Sequence, residues 1–413
     1  MSYIRDKCIQ LKNAELQLSQ ASTANKNQAL LNVAEALDKS RANILDGNVL
    51  DINNARENNM SEGLIDRLKL DNSRIDGIID GIETVVKLPD PIWKSDRVWT
   101  VENGLTISKM TVPLGVIGIV YESRPNVTVD AFSLALKSGN CILLRGSSSA
   151  INTNQALIKA IKEGLGKSNI SPHVVEFIEN TDREYVFEML KAKDYIDLII
   201  PRGGKDLIDF VVENSSVPTL QTGVGNCHIF IDDGADLDMA ISIVANAKTQ
   251  RVGVCNACET LLVHDSISKD FLSKLYNELK DKVEFRGCHI TRKIIPTKEA
   301  MDSDWSEEYL DYILAVKVVK DTDEAIHHIE KYGTKHSEAI ITNNYTNSKK
   351  FLRSVDASAV YVNASTRFTD GSEFGFGAEM GISTQKTHAR GPIGLEQLVT
   401  NKYTIVGEGQ IRK

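Results

Sequence analysis

The segment at residues 250–259 offers the strongest candidate for covalent chemistry in this sequence. It reads QRVGVCNACE between a helix pattern and a strand pattern, so Cys255 is expected on the connection. A nearby cation such as Arg251 favours the thiolate, which is the form that attacks acyl carbons. The alternative is that Cys255 is only a small buried residue, and the segment alone leaves both interpretations open.

Cys255 and Cys258 also form a Cys-x-x-Cys pair, a spacing used by zinc sites and redox centres. A structural zinc site requires four ligands, and the other nearby candidate, Cys288 with His289, lacks the spacing. The pair does not lie on an early βαβ unit, where a thioredoxin-like motif belongs. We therefore expect no metal site.

Residues 120–126, VYESRPN, lie where a strand pattern ends and a helix pattern begins. Ligands of doubly wound sheets bind beyond the carboxyl ends of the strands. Asn126 can offer its NH₂ group to an oxyanion, and Arg124 can attract an anionic group. The alternative is that Pro125 and Asn126 simply start the next helix.

Two more strand ends carry small and polar residues. Arg145, Gly146, Ser147 and Ser148 suit a ribose or a phosphate. At residues 200–204, Arg202 is followed by two glycines that permit close backbone approach, and the next helix N-terminus favours an anion. Each segment is also explained by an ordinary turn, and the G-x-G-x-x-G fingerprint is absent. The glycines concerned are Gly203 and Gly204.

Other polar residues carry weaker expectations. His327 and His328 fall on a predicted helix face and are interpreted as solvated, as is the acidic run 302–311 before a strand. His388 lies in the Gly-rich, aperiodic segment 367–394, which is typical of a functional loop, and it stays a weak site candidate.

The elements that position these residues follow hydrophobic periodicity. Residues 1–86 read as helical, and Asn103-Gly104 predicts a hairpin of strands 97–102 and 105–112. Two series of apolar strands alternating with amphipathic helices follow, which indicates parallel sheets covered on both faces. The fold class is α/β, with two Rossmann-type domains and a cleft between them. The strands of the second series are expected at 228–231, 260–264, 313–319, 339–341 and 360–362.

Composition narrows the function classes. The chain has 413 residues, 42% apolar and 25% charged, with a net charge of −8. An acidic protein lacks the basic face that nucleic acid or an anionic membrane requires, so neither is expected as a partner. The first twenty residues lack a signal-peptide core, no apolar run could span a bilayer, and six scattered cysteines are no disulfide framework. We expect a cytoplasmic protein.

Four segments together resemble the gamma-glutamyl phosphate reductases, also called glutamate-5-semialdehyde dehydrogenases, of the aldehyde dehydrogenase superfamily. The likeness spans most of the chain, and the segments are VPLGVIG with YESRPN (112–126), LIIPRGG (198–204), QRVGVCNA (250–257) and GAEMGISTQ running into RGP (377–392). The resemblance implies NADPH-dependent reduction of L-glutamyl 5-phosphate to the semialdehyde in proline biosynthesis. Glutamate kinase is then the expected upstream partner.

The resemblance also implies residue roles. Cys255 falls at the nucleophile and Asn126 at the oxyanion-binding asparagine. Arg145 to Ser148 match a segment that meets the cofactor's ribose and phosphate, and Arg202 to Gly204 match a loop near its pyrophosphate. The substrate's carboxylate and phosphate require cations, for which sequence does not rank the candidates Arg124, Arg251, Arg367 and Arg390.

The family organisation implies three parts. A cofactor-binding domain comprises 1–96, 113–225 and 366–398, a catalytic domain comprises 226–365, and an oligomerisation arm comprises 97–112 and 399–413. We therefore expect a homo-oligomer.

Hydrolytic aldehyde dehydrogenases carry a water-activating glutamate just after the cofactor domain. Here residues 221–227 read QTGVGNC, with no carboxylate. A reductase acting on an acyl phosphate needs no water, so the departure agrees with that substrate. Two alternatives stay open: a CoA-acylating aldehyde dehydrogenase, or a catalytically idle oligomeric scaffold of the same fold.

Overall fold

The computed structural model of this chain describes residues 3–412. Two compact units divide them: unit 1 extends to Gln221 and includes 375–381 and the chain from Ile393, and unit 2 comprises 222–374 and 382–392. The Gly-rich segment, which the sequence assigned whole to the cofactor domain, is thus shared between the units. The roles of the two units stay a prediction.

Unit 1 begins with five helices, as the periodicity of residues 1–86 predicts. In the fifth, the apolar stripe Ile75, Ile78, Ile82 and Val85 is buried, and the Asp71 side chain caps the first turn. The helices are α1 (Tyr3–Ser19), α2 (Thr23–Lys39), α3 (Arg41–Glu57), α4 (Glu62–Leu68) and α5 (Asn72–Lys87).

A four-stranded parallel sheet of order β5-β4-β3-β6 forms the centre of unit 1. The inner strand that pairs with both β4 and β6 is buried along its whole length, because helices cover both faces of such sheets. The elements are β3 (Val116–Tyr121), α6 (Asn126–Lys137), β4 (Cys141–Arg145), α7 (Ile151–Leu165), β5 (Val175–Phe177), α8 (Arg183–Lys191), β6 (Leu198–Arg202) and α9 (Lys205–Asn214), with short 3₁₀ turns at Ser148–Ala150 and Pro172–Val174.

The predicted hairpin is confirmed. β1 (Ser95–Thr100) pairs antiparallel with β2 (Thr106–Pro113), and Gly104 in the connecting turn has φ of 85°. The tail of the chain adds β16 (Val399–Val406) along the other side of β2, preceded by a 3₁₀ turn at Leu395–Leu398. Most residues of the two edge strands are exposed.

Unit 2 contains a seven-stranded parallel sheet of order β10-β9-β11-β8-β7-β12-β13. All five strands that the sequence predicts are present. The elements are β7 (Cys227–Ile231), α10 (Leu237–Thr249), β8 (Cys258–His264), α11 (Asp265–Leu279), β9 (Glu284–Gly287), α12 (Thr291–Ile294), β10 (Lys298–Glu299), β11 (Ile313–Val319), α13 (Thr322–Tyr332), β12 (Ser337–Ile341), α14 (Tyr345–Ser354), β13 (Ala359–Val362), the pair β14 (Ile382–Ser383) and β15 (Gly391–Pro392), and 3₁₀ turns at Asp302–Trp305 and Thr366–Phe368.

Two expectations about polar residues in this unit were wrong. His328 is buried, stacked edge-on against His228 and Trp305, instead of solvated. The acidic run is not wholly solvated either, because Asp304 is buried and accepts hydrogen bonds from Arg286 and Tyr309. Both were misjudged because His228 and Arg286, which contact them, come from other segments of the chain.

No helix within residues 3–412 has the length and apolar character needed to cross a membrane.

Candidate active site

Cys255 lies half-buried on the connection between α10 and β8, as the sequence predicts. The connection turns tightly, with the N–H of Ala257 donating to the carbonyl of Val254. Cys258, three residues on, is fully buried as the first residue of β8. The two cysteines of the Cys-x-x-Cys pair therefore occupy different environments. Among residues 3–412, no cluster of three or more His, Cys, Asp or Glu side chains could hold a metal ion.

A glycine turn packs against the backbone of Cys255. A Cβ atom on Gly225 would lie 1.5 Å from the carbonyl oxygen of Cys255, so only glycine fits. The Gly225 N–H donates to Oε1 of Glu308 at 2.7 Å, and the N–H of Gly223 donates to the carbonyl of Ile382 at 2.7 Å. These two bonds hold the turn on either side of its central residue.

A second cysteine supports the same peptide. The Cys227 thiol donates to the Cys255 carbonyl oxygen at 3.1 Å. Burial raises the pKa of Cys227 well above its usual value, and the neighbouring Glu338 acts in the same direction. Cys227 therefore keeps its proton and can serve as the donor in this bond.

Asn256 fastens the cysteine segment to the 3₁₀ turn Thr366–Phe368. Its buried NH₂ group donates to the carbonyls of Thr369 at 2.9 Å and Arg367 at 3.2 Å. In return, the Thr366 hydroxyl donates to the Asn256 carbonyl at 2.7 Å. The Arg367 guanidinium donates to the Asn256 side chain and to Oε1 of Gln250 at 2.9 Å. These hydrogen bonds position Arg367 next to the segment that contains Cys255.

Positive charge is concentrated at this segment. Burial lowers the pKa of Arg367, the adjacent Arg251 lowers it further, and Asp370 and Cys255 oppose the shift. Arg367 therefore interacts electrostatically with both Arg251 and the Cys255 sulfur. Such an arrangement favours a thiolate and an anionic substrate.

Arg390 has a different setting. It donates to Asp356 at 2.9 Å, and Lys335 and Lys386 pair with the same carboxylate at 3.6 Å and 2.6 Å. The hydrogen bond from Lys386 is the main cause that lowers the pKa of Asp356 to about 2. Nε and Nη2 of Arg390 are buried without a hydrogen-bond partner. Three cations on one carboxylate leave an excess of positive charge, and the same loop contacts the glycine turn where Thr384 packs against Gly223.

In unit 1, Asn126 is the first residue of α6. Its Nδ2 donates to Oδ2 of Asp130, one turn later, at 2.8 Å. The amide offers two N–H groups, so one is engaged by Asp130. Arg124, two residues earlier, is half-buried in the loop between β3 and α6.

The other two predicted strand ends differ from one another. Arg145 donates to the carbonyls of Gly146 at 2.9 Å and Thr181 at 3.0 Å, while its buried Nε has no partner. The Ser147 hydroxyl is hydrogen-bonded at 2.8 Å to that of Ser149, and Ser148 is exposed. This end keeps donors available for a polar ligand.

At the end of β6, a carboxylate already occupies the start of α9. The N–H of Gly204 donates to Oε2 of Glu122 at 2.9 Å, and a Cβ atom on Gly203 would lie 2.6 Å from Cδ of Glu122. The glycines permit a close approach, as expected, but here it is the approach of a side chain of this chain. An anion that binds there would have to displace Glu122, because like charges repel.

Sequence reasoning missed three residues that this geometry reveals: Asn256, Glu308 and Asp130. Asn256 adjoins the nucleophile, so its position was a usable signal. Asp130 lies four residues after Asn126 on one helix, a spacing that brings side chains together. No local signal pointed to Glu308, which is 83 positions from Gly225.

A model of the aldehyde dehydrogenase family matches residues 7–285. The chain is 64% identical to the gamma-glutamyl phosphate reductase of Alkaliphilus oremlandii over the full length of both. The crystal structure of the gamma-glutamyl phosphate reductase of Thermotoga maritima, 53% identical, superposes with a TM-score of 0.98 over the whole of both chains. An acetylating aldehyde dehydrogenase from Geobacillus thermoglucosidasius, 16% identical, shares the fold with a TM-score of 0.70 and coverage of 99% and 97%.

Proposed function

This chain belongs to the aldehyde dehydrogenase family, and from that premise we propose that it reduces L-glutamyl 5-phosphate to L-glutamate 5-semialdehyde and phosphate with NADPH, in proline biosynthesis. The observation that carries the proposal is the full-length identity of 64% to a gamma-glutamyl phosphate reductase, together with the cationic setting of Cys255. Its substrate and reductant are metabolites of the cytoplasm, where we therefore place the enzyme. An enzyme that phosphorylates glutamate would act upstream.

The reaction begins at Cys255 in this proposal. Its thiolate attacks the acyl carbon of the substrate, and the carbonyl electrons move onto oxygen. The second N–H of the Asn126 amide and backbone N–H groups at Cys255 stabilise that oxyanion, each donor contributing about 3 kcal/mol. Phosphate then leaves with the electrons of the broken C–O bond, which produces the thioester.

Arginines bind the anionic groups of the substrate in this proposal. Arg367 acts electrostatically at Cys255 and Arg251 acts on Arg367, so we assign to these two arginines the phosphate that departs there. Arg390, with its excess cationic neighbours, suits the carboxylate of the glutamyl group, and Arg124 is the remaining candidate. After reduction the C–S bond breaks, and Cys255 recovers its thiolate.

The described residues fit a nicotinamide cofactor. The buried, unpartnered Nε of Arg145 and the exposed hydroxyl of Ser148, beside Gly146, are available to a ribose or a phosphate. The Ser147 hydroxyl can join them if it exchanges its bond to Ser149 for one to the ligand. We assign the pyrophosphate to Arg202, Gly203 and Gly204, on condition that Glu122 moves from the Gly204 N–H. When bound, the nicotinamide supplies the hydride that reduces the thioester carbon.

The antiparallel sheet of β1, β2 and β16 supports a homo-oligomer. Val98, Tyr403 and Ile405 are each about 60% exposed on its edge strands, which also present unpaired backbone groups. Exposed edge strands of this kind pair readily with another copy of the chain. We assign the oligomerisation arm to this sheet.

A coupled assay tests the proposal. Purified protein receives glutamate, ATP, a glutamate kinase and NADPH, and the absorbance of NADPH is followed. We expect Cys255→Ser to lower turnover by at least about a thousandfold, because a serine hydroxyl at this position is a much weaker nucleophile than the cysteine thiolate. Cys288→Ser, at another half-buried cysteine, is the matched control and should behave like the parent protein. Near-normal turnover of Cys255→Ser would refute the thioester route.

The same preparation separates the alternatives. In the reverse direction, NADP⁺ reduction with the semialdehyde should require phosphate and ignore CoA. The CoA-acylating alternative is not favoured, because the acetylating neighbour shares only 16% identity while the reductases share 54–64%. A low dose of iodoacetamide at neutral pH should alkylate Cys255, whereas an inert thiol would favour an idle scaffold.

A further inference from the structure

Asp130 makes the hydrogen bond that decides which way the Asn126 amide faces. The two residues are four positions apart on α6, and Nδ2 of Asn126 donates to Oδ2 of Asp130 at 2.8 Å. An ionised carboxylate only accepts hydrogen bonds, whereas an amide presents NH₂ on one side and oxygen on the other. The charge on Asp130 therefore requires the NH₂ edge to face it, and one N–H stays available for another acceptor.

We propose that Asp130 is a positioning residue that holds the Asn126 amide in the orientation required to donate to the oxyanion of the thioester reaction. This inference rests on the proposed function, in which Asn126 is that donor. If the amide turned by 180°, its oxygen would replace the NH₂ group, and an acceptor repels a developing oxyanion.

The surroundings of Asp130 make its charge sensitive to pH. Burial raises the pKa of Asp130 to about 6, and the hydrogen bond from Asn126 and the charge of Arg202 at the end of β6 oppose that shift. From α5, the helix packed against α6, Gly81 faces Asp130, since a Cβ atom there would lie 3.8 Å from Oδ1. Gly81 carries no ionisable side chain, and Arg202 is the charged group that opposes the effect of burial on this carboxyl.

The sign of the effect follows from these groups. Above pH 6 the carboxylate is ionised and accepts from Asn126. Below pH 6 the protonated carboxyl can donate to the amide oxygen instead, which stabilises the turned orientation. Turnover at saturating substrate should thus fall as the pH drops through about 6.

The test is the pH profile of turnover in Asp130→Asn, with NADPH and substrate saturating. The asparagine keeps the volume but accepts or donates equally well, so the two orientations of Asn126 become similar in energy. We expect turnover at pH 8 to fall about two- to tenfold, KM to stay within about twofold, and the acid limb near pH 6 to disappear. Asp80→Asn, at an exposed acid beside Gly81 on α5, is the matched control. It should keep both the turnover of the parent protein and the fall of turnover near pH 6.

A double-mutant cycle separates this inference from the proposed function. Asn126→Ala should lose about 10²- to 10³-fold in turnover, and adding Asp130→Asn should then change nothing more. Near-normal turnover of Asn126→Ala would overturn the oxyanion role itself. Two outcomes would show that the positioning role is wrong even if Asn126→Ala is impaired. One is that the pH profile of Asp130→Asn still falls near pH 6, and the other is that Asp130→Asn lowers turnover further in the Asn126→Ala background.

A second variant serves if Asp130→Asn does not fold. Arg202→Gln removes the cation that lowers the pKa of Asp130, so the acid limb should move to higher pH at saturating NADPH. An unmoved limb would overturn the inference.

Discussion

Replacing Gly225 by alanine tests whether the glycine turn positions the nucleophile. The new Cβ atom would lie 1.5 Å from the Cys255 carbonyl oxygen and 2.7 Å from its Cα, whereas ordinary contacts begin at 3.4 Å. The obstacle is backbone, so the turn and the cysteine peptide must separate by about 2 Å. Glu308 resists this movement at the Gly225 N–H, and Cys227 resists it at the Cys255 carbonyl.

A displacement of about 1 Å at a reacting group commonly costs about 10²-fold in rate. We therefore expect Gly225→Ala to lower turnover in the NADPH assay by at least about a hundredfold, and to lower the free energy of unfolding by about 1–3 kcal/mol through overpacking. The rate of Cys255 alkylation by iodoacetamide should fall as well, because the cationic neighbours no longer surround the sulfur in the same way.

Two glycines supply controls for this substitution. On Gly223, a Cβ atom would meet only side-chain atoms of Thr384, the nearest at 2.4 Å, and a side chain can turn away. Gly223→Ala should therefore lose less activity than Gly225→Ala. Gly77, inside α5, has nothing within 4 Å, so Gly77→Ala should keep full activity and gain about 0.5–1 kcal/mol in stability. A folded Gly225→Ala protein with turnover within about threefold of the parent would refute the reasoning.

Two buried charges should matter for stability. Asp51 on α3 accepts hydrogen bonds from the backbone N–H groups and side chains of Asn152 and Thr153 at the start of α7. Asp51→Ala should therefore lower the free energy of unfolding, measured in urea, by about 3 kcal/mol. A loss below about 1 kcal/mol would contradict this role. Lys248 and Glu259 form a fully buried pair at 2.6 Å, and burial raises the pKa of Glu259 to about 7. Lys248→Met should therefore cost about 3–5 kcal/mol at pH 9, where the carboxylate is left charged without its partner, and less at pH 6, where it can take up a proton. An equal cost at the two pH values would contradict this account.

Local patterns predicted the longer strands well, because the apolar pattern of a strand is contained in its own residues. Residues 116–121 belong to the first series of apolar strands, and they form β3, which is buried throughout. The hairpin followed from the Asn103-Gly104 pair, in which the positive φ of Gly104 suits a turn. Cys255 was placed correctly for a similar reason, since a connection is defined by the elements on either side of it.

The misjudged residues share one physical cause. His328, Asp304 and Glu308 look like surface residues on polarity alone, but a polar group can be buried wherever distant segments supply its partners. Asp304 is buried because Arg286, from the unpredicted strand β9, reaches it. Strands β9 and β10 were missed because four and two residues are too few to show a period.

Glu308 also bears on an inference drawn from the sequence. Residues 221–227 contain no carboxylate, which agreed with a reaction that excludes water. The fold nevertheless brings the Glu308 carboxylate to Gly225, beside the Cys255 peptide. Burial raises the pKa of Glu308, and the Gly225 N–H and His336 oppose the shift. Glu308 therefore has one of two roles: it holds the turn, or it activates water to hydrolyse the thioester.

The geometry favours the holding role, because Oε1 already accepts the Gly225 N–H and a base needs a free lone pair directed at water. Glu308→Gln keeps that acceptor, so turnover should stay within about threefold of the parent, whereas Glu308→Ala leaves the N–H unpaired and should cost about 1–3 kcal/mol in stability. The discriminating measurement runs the reaction from the semialdehyde and NADP⁺ without phosphate, where NADPH formed beyond one equivalent per Cys255 reports thioester hydrolysis. If Glu308→Gln abolished that slow turnover and left the phosphate-dependent rate intact, Glu308 would be a water-activating base supplied from a distant loop. The lack of a carboxylate in residues 221–227 would then say nothing about the substrate.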